Sequence, residues 1–204
     1  MVPTTGDTWM EPFGKALGID NEAFASWKNL LFKPSAKILL VEGKTDVDYL
    51  ELLKQSQHGQ DALTFDGEIF PYEGTGYFSN TVVLKFLISR FKQVFITYDL
   101  DKALEVEPKL KGIGLRSGKD FASIGVEKPG SRDVEGLLPS SIKSAVYAKH
   151  PDLVAHAQSA EKDRSDARNK LKGLLFAEFS ATAKAGTDYA EFYKLARTVE
   201  KAFK

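Results

Sequence analysis

The chain contains no cysteine. That absence excludes disulfides, thiolate metal centres and cysteine nucleophiles together. Histidine is scarce: His58, His150 and His156 are the three present, and none falls in an HExxH or similar zinc spacing. An ion bound here would therefore be held by oxygen, which favours magnesium, manganese or calcium. No apolar run approaches the ~20 residues of a membrane span, and no signal-peptide pattern opens the chain, so the expected setting is soluble and cytoplasmic. There is no GxxxxGK[ST] phosphate loop, which excludes an ATPase of that type. Neither charge is in excess, with 28 Lys and Arg against 28 Asp and Glu, and that balance argues against a broadly basic nucleic-acid coat.

The charges are unevenly spread. Acids prevail up to Pro139 and bases beyond it, an arrangement that suits an acidic metal site beside a mildly basic helical segment. A length of 204 residues supports one good core with a smaller appended unit. Continuous apolar runs predict strands over 37–41, within 63–72, over 94–98 and over 121–126. Helical spacing predicts helices over 9–32, 45–57 and 80–91, with a short one from 103 to 110 broken at Glu107-Pro108. This alternation indicates an α/β fold with a mainly parallel sheet flanked by helices. After Pro139 no strand-like run recurs, and three helices are expected near 141–149, 152–181 and 189–203, the last capped by Thr187 or Asp188. The expected division is a catalytic domain with its N-terminal helix over 1–139 and a helical extension over 140–204. The three histidines are expected at the surface, and Tyr189, Phe192, Tyr193 and Phe203 are expected to pack rather than stack on bases. Gly74-Thr75-Gly76 and Gly112-Ile113-Gly114 lack the complete GxGxxG and are expected to be ordinary loops.

Carboxylates at strand ends carry the chemistry. Glu42 closes the run Lys37–Val41 where an apolar residue would bury better, and Gly43 lets the chain turn at once. Asp46, in the first turn of the next helix, can lean back toward Glu42. The bland alternative is a surface turn with Thr45 as N-cap and Asp46 favouring the helix dipole. Asp99 and Asp101 follow the run Val94–Tyr98, and period-two spacing puts both on one side of an extended segment. Thr97, on the same face, can orient a metal-bound water. Asp133 and Glu135 repeat the spacing beyond the fourth strand, with Val134 facing the core and Arg132 placed to pair with an acid or a phosphate. Open α/β sheets bind ligands at this edge. A patch holding Glu42, Asp46, Asp99, Asp101, Asp133 and Glu135 is tolerable only with divalent cations to neutralise it. Two ions about 3.5–4 Å apart can activate a water and stabilise the leaving oxygen of a phosphodiester.

Leu40-Val41-Glu42-Gly43-Lys44-Thr45-Asp46, followed by Asp99-Leu100-Asp101, resembles the Toprim domain of topoisomerases, primases and certain nucleases. Arg132-Asp133-Val134-Glu135 with a helix-rich tail most resembles the OLD (overcoming lysogenisation defect) family of nucleases. The resemblance covers 37–135 by motif and the tail by texture. It implies a Toprim, Rossmann-like sheet and a DNA endonuclease using two Mg2+ or Mn2+ ions, with Ca2+ able to occupy the site. The implied metal ligands are Glu42, Asp46, Asp99, Asp101, Asp133 and Glu135. Glu42 and Asp99 take catalytic roles, the former as general base and the latter as bridging ligand. A tail lysine would assist the transition state, with Lys184 as the candidate and Lys172 as the alternative. In that family an ABC-type ATPase precedes the nuclease, so this chain reads as a C-terminal fragment, with self-association possible through the region before it.

Two other classes compete. Asp99-Leu100-Asp101-Lys102-Ala103 resembles the DxDx[TV] motif of haloacid-dehalogenase phosphatases, but Ala103 stands where Thr or Val is expected. A receiver-like or metal-stabilised binding module would use Asp99 without cleavage, although receivers place their acidic pair adjacent and Glu42 and Asp46 are not. Topoisomerase- or primase-like chemistry is the variant within the Toprim class.

Overall fold

The computed structural model describes residues 37–72, 81–160, 162 and 164–204. The helix expected over 9–32 and the loop Gly74–Gly76 lie outside these residues. The elements run β1 (Lys37–Val41), α1 (Lys44–Leu52), β2 (Glu68–Pro71), α2 (Thr81–Arg90), β3 (Gln93–Asp99), α3 (Ala103–Gly112), β4 (Phe121–Ile124), α4 (Ser140–Lys149), α5 (Pro151–Gln158), α6 (Arg164–Thr182) and α7 (Ala190–Ala202). Short 3-10 turns lie over Ser56–Asp61, Leu100–Lys102 and Val134–Leu137.

The four strands are all parallel, in the order β2-β1-β3-β4. Parallel neighbours need crossover connections, and the helices supply them. Period-two alternation sends each strand's side chains to opposite faces. Leu39, Val41 and Phe95 join one core with α1, α4, α6 and α7, while Ile38, Leu40, Ile96 and Tyr98 join a second with Leu84, Val106 and Leu110. Both faces are covered, which is why the strands read as continuous apolar runs. The helices beyond Pro139 share the first core with the sheet. Phe179 of α6 lies 5.8 Å from Tyr49 of α1 and 5.3 Å from Phe192 of α7, ring centre to ring centre, and Tyr189 closes the group at 4.6 Å from Phe179. None of the described helices is long and apolar enough to cross a membrane.

Several expected boundaries differ. β2 is shorter than the 63–72 window, beginning only after Asp66-Gly67. Helix α3 continues through Pro108 instead of breaking there. The backbone partner that proline removes belongs to Leu104, which is 95 % exposed and open to water, while Val106 and Leu110 are fully buried and anchor both sides. The long helix expected over 152–181 is two helices, α5 and α6. No large apolar residue lies between Gln158 and Asp166 to hold those turns against the core, and Arg168 Nε bridges the gap by donating to the Ala157 carbonyl at 3.0 Å. Helix α7 has no side-chain cap: Asp188 instead accepts from the Lys184 backbone N–H at 2.9 Å. Gly114, with φ 94°, ends α3 in an ordinary turn, as expected for that loop. His58 is not at the surface. It is 5 % exposed, with Nδ1 2.8 Å from Tyr193 Oη and Nε2 3.1 Å from the Leu52 carbonyl. A carbonyl can only accept, so Nε2 carries the proton. Burial holds His58 below its ordinary pKa, so the ring stays neutral and Nδ1 accepts from the tyrosine. Tyr189, Phe192, Tyr193 and Phe203 are all buried, as packing residues should be.

The aromatic group around Phe179 predicts a stability dependence. Phe179 is fully buried, so Phe179→Ala is expected to lower unfolding free energy by about 3–5 kcal/mol in urea titration. A loss below ~1 kcal/mol would show that the helical layer does not share the sheet's core.

Candidate metal centre

The chain leaves β1 toward one edge of the sheet for β2, then returns to the other side of β1 as β3. Strand order reverses there, and a crevice opens outside the carboxyl ends of β1 and β3. Glu42 follows β1 directly, and Asp99 is the last residue of β3. The two are tied across the crevice, with the Asp99 backbone N–H donating to Glu42 Oε2 at 3.3 Å. Asp46 comes from the first turn of α1. Its Oδ2 accepts from the Gly43 N–H at 2.8 Å, and its Oδ1 is buried with no hydrogen-bond partner. Thr45 is therefore not the N-cap of α1, whose cap position is Gly43.

The other acids arrive by tight turns. The extended segment ends at Asp99, and Asp101 sits on a 3-10 turn rather than on the same side of a strand. Asp133 caps a second 3-10 turn by accepting from Gly136 N–H at 3.1 Å, with Val134 buried behind it. Gly136 admits no side chain, because a Cβ there would lie 2.0 Å from the Ser131 carbonyl oxygen. At Gly125, with φ 120°, a Cβ would lie 2.5 Å from the Arg132 backbone. These two glycines press the loop 125–136 onto the sheet edge and fix where Asp133 and Glu135 project.

Two recesses adjoin at this edge. The smaller, about 290 Å³, is lined by Glu42, Gly43, Lys44, Thr45, Asp46, Asp99, Val134, Asn169 and Lys172. The larger, about 510 Å³, is lined by Asp99, Asp101, Arg132, Asp133 and Glu135 from the sheet edge, and by Lys143, Tyr147, Arg168, Leu171, Lys172 and Leu175 from α4 and α6. Asp99 and Lys172 line both. All six expected carboxylates thus border one or the other.

Burial and mutual repulsion strain these acids. Burial, followed by the charges of Glu42, Asp46 and Asp133, pushes Asp99 up to about 9, with Lys172 offsetting part of the rise. Asp46, 5 % exposed, is pushed up to about 6, again chiefly by burial. Glu135, 6 % exposed, is also raised by burial, against the pull of Lys172. Lys172 Nζ is 3.1 Å from Glu135 Oε2, an ion pair rather than an aligned hydrogen bond, and Glu135 Oε1 has no partner. Burial works against the Lys172 ammonium, but Glu135, Asp133 and Asp99 outweigh it and hold the charge on. Lys143 Nζ donates to the Glu135 and Gly136 carbonyls at 3.3 and 3.4 Å, and Arg132 pairs with Glu127 at 2.7 Å. Beneath the cluster, the buried Tyr49 hydroxyl has no hydrogen-bond partner.

Hard oxygen donors with buried, unpartnered lone pairs suit a divalent cation and not a soft one. Among the described residues no three acids or histidines converge tightly enough to form a ready-made coordination shell. The donors border the two recesses and do not focus on one point. Thr97 does not face this site. It is fully buried, and its Oγ1 donates to the Leu40 carbonyl at 3.2 Å. Lys184 is exposed and lines neither recess, whereas Lys172 lines both. Lys143, Tyr147, Arg168 and Asn169 were not read from the sequence. The signal for three of them was available in the i, i+3, i+4, i+7 stripe Arg168, Leu171, Lys172, Leu175 and in the i, i+4 pair Lys143 and Tyr147; Asn169 leaves no such trace.

In comparison with known proteins, no family model, no curated protein and no solved structure matches this chain. The fold itself defines an α/β protein with a four-stranded parallel sheet flanked by helices, of Rossmann-like kind.

Asp46 and Asp99 hold protons more tightly folded than unfolded. Their contribution to stability is fully present below about pH 4. It is lost as pH rises through about 6 for Asp46 and about 9 for Asp99. In EDTA the melting temperature should therefore fall across this window, and Asp99→Asn should flatten the upper part of the fall. Scanning fluorimetry of both proteins in a pH series checks this; identical slopes would show that burial and neighbouring charge do not raise Asp99.

Proposed function

We propose that this chain is a Toprim-type nuclease domain that hydrolyses DNA phosphodiester bonds by a two-metal mechanism. The observation that carries the proposal is the sharing of Asp99 and Lys172 by two adjoining carboxylate-lined recesses at the sheet's point of reversal. The motif resemblance to the OLD family supports the same reading. An ABC-type ATPase preceding the domain in a longer chain belongs to the proposal on that resemblance alone.

Two divalent ions held here would supply an activated water and counter-charge for the leaving oxygen. Glu42, Asp46 and Asp99 are the donors of the smaller recess; Asp99, Asp101, Asp133 and Glu135 are those of the larger. Asp99 is the one acid able to serve both. Glu42, half-buried at the strand end, is placed to take the proton of the attacking water. Lys172 keeps its proton and can offset charge on the non-bridging phosphate oxygens from either recess. Lys143 and Arg168 add positive charge on the helical wall, attracting a phosphate chain that the acids alone would repel.

Supercoiled plasmid incubated with the protein in Mg2+, Mn2+ or EDTA tests the proposal. Nicking or linearisation is expected with either metal and not with EDTA, and Asp99→Ala should abolish it while circular dichroism stays unchanged. Lys172→Ala should slow cleavage by about 10²–10³-fold, the cost of losing one preorganised charge partner, with Lys184→Ala far milder. The opposite ranking of the lysines would reinstate Lys184. Cleavage that survives Asp99→Ala would rule out this site, and relaxation into topoisomers without net cleavage would assign topoisomerase-like chemistry instead.

A further inference from the structure

Tyr147 is the only aromatic side chain exposed among the described residues, at 37 %. It has no core to serve, and it lines the larger recess. On α4 it lies one turn beyond Lys143, so a cation and a ring share one helical face. Across the recess α6 presents Arg168, Leu171 and Lys172. The recess therefore has a carboxylate floor, an apolar wall of Tyr147 and Leu171, and cations at intervals along both helices. A small inorganic anion or a lone metal ion makes no use of a tyrosine face and a leucine. A nucleotide uses every part, because its base is flat and apolar on its faces and its phosphate is anionic.

We propose that the larger recess receives one unpaired nucleotide next to the scissile phosphate, its base stacked on Tyr147 and its phosphate drawn by Arg168 and Lys172. The proposal rests on the nuclease reading above and narrows its substrate to single-stranded or locally unpaired DNA. A volume of about 510 Å³ falls in the range of a pre-formed small-ligand pocket, about 300–1,000 Å³, and so matches one nucleotide rather than a helix. In a duplex the base faces are already stacked on their neighbours, and only groove edges and phosphates are offered. The Tyr147 ring can be used only by a base that has left the stack.

Fluorescence anisotropy with a labelled 12-mer tests this, single-stranded against the matching duplex, with calcium replacing magnesium so that binding is read apart from cleavage. Single-stranded DNA is expected to bind more tightly than duplex. Tyr147→Ala should weaken single-strand binding by roughly 5- to 150-fold, the range for one base–aromatic stack, and Tyr147→Phe should retain it. Duplex affinity should change little in either variant. Equal affinity for the two forms, or an undiminished Tyr147→Ala, would overturn the inference while metal-dependent plasmid cleavage left the nuclease assignment standing. No binding of any DNA form, together with no plasmid cleavage, would overturn both.

Discussion

Parallel pairing of β1 with β3 is the constraint on which the site depends. Leu39 is opposite Phe95 and Leu40 opposite Ile96, so Glu42, just beyond β1, and Asp99, the last residue of β3, meet at the same edge. Had β3 paired antiparallel, Asp99 would have emerged at the opposite edge from Glu42. Register also matters, since a slip of one residue would exchange the two faces of the sheet and put Asp99 on the wrong side of the crevice. The apolar faces of β1 and β3, buried in two separate cores, prevent that slip. The bond from the Asp99 backbone to Glu42 is thus a consequence of strand packing and not its cause.

Bringing acids together at a buried edge is unfavourable, and the structure shows how the cost is contained. Asp46 spends one oxygen on the Gly43 N–H, Asp133 one on the Gly136 N–H, and Glu135 leans on Lys172. What remains is one unpartnered oxygen on Asp46 and another on Glu135. Backbone donors could have satisfied these too, as they do at an ordinary helix start. That they do not leaves buried, unpartnered lone pairs on residues that border the recesses, the hard oxygen donors that a divalent cation favours. Lys172 stands among these acids as a partial counter-charge. One ammonium cannot neutralise several carboxylates, and the protons that Asp99 and Asp46 hold to higher pH offset part of the remainder.

The sheet and the acids were legible from sequence because both leave one-dimensional traces. A strand buried on both faces is an unbroken apolar run, and a carboxylate directly after such a run has no packing reason to be there; Glu42 and Asp99 stand out on those grounds alone. Element ends were less legible where the deciding fact was three-dimensional. Pro108 ought to stop a helix, yet the lost bond falls on an exposed turn that water can satisfy. His58 lies in a polar stretch, His58-Gly59-Gln60, that reads as surface, and only the distant Tyr193 shows that it is enclosed. The choice between Lys184 and Lys172 could not be made along the chain, because helical spacing inside α6 carries Lys172 inward while the turn after α6 carries Lys184 out.

Helix α6 explains why the tail belongs to the site as well as to the core. Its residues 168, 171, 172, 175 and 179 form one stripe, and the stripe changes character along its length. Arg168 and Lys172 face the recesses at the sheet's carboxyl edge, Leu175 spans the boundary, and Phe179 is fully buried among the rings of Tyr49, Tyr189 and Phe192. A rigid helix transmits position along its axis, so the depth at which Phe179 seats fixes how far Lys172 reaches, two turns away. Tyr49 sits at the junction: its ring packs on Phe179 while its unpartnered hydroxyl lies under the acids, near enough for Glu135, Asp133 and Asp46 to help keep it protonated after burial has done so. The same aromatic packing that ties the tail to the sheet therefore also sets the distance between the helix's cations and the strand-end carboxylates. A site divided between the sheet and a separately anchored tail would lack that control.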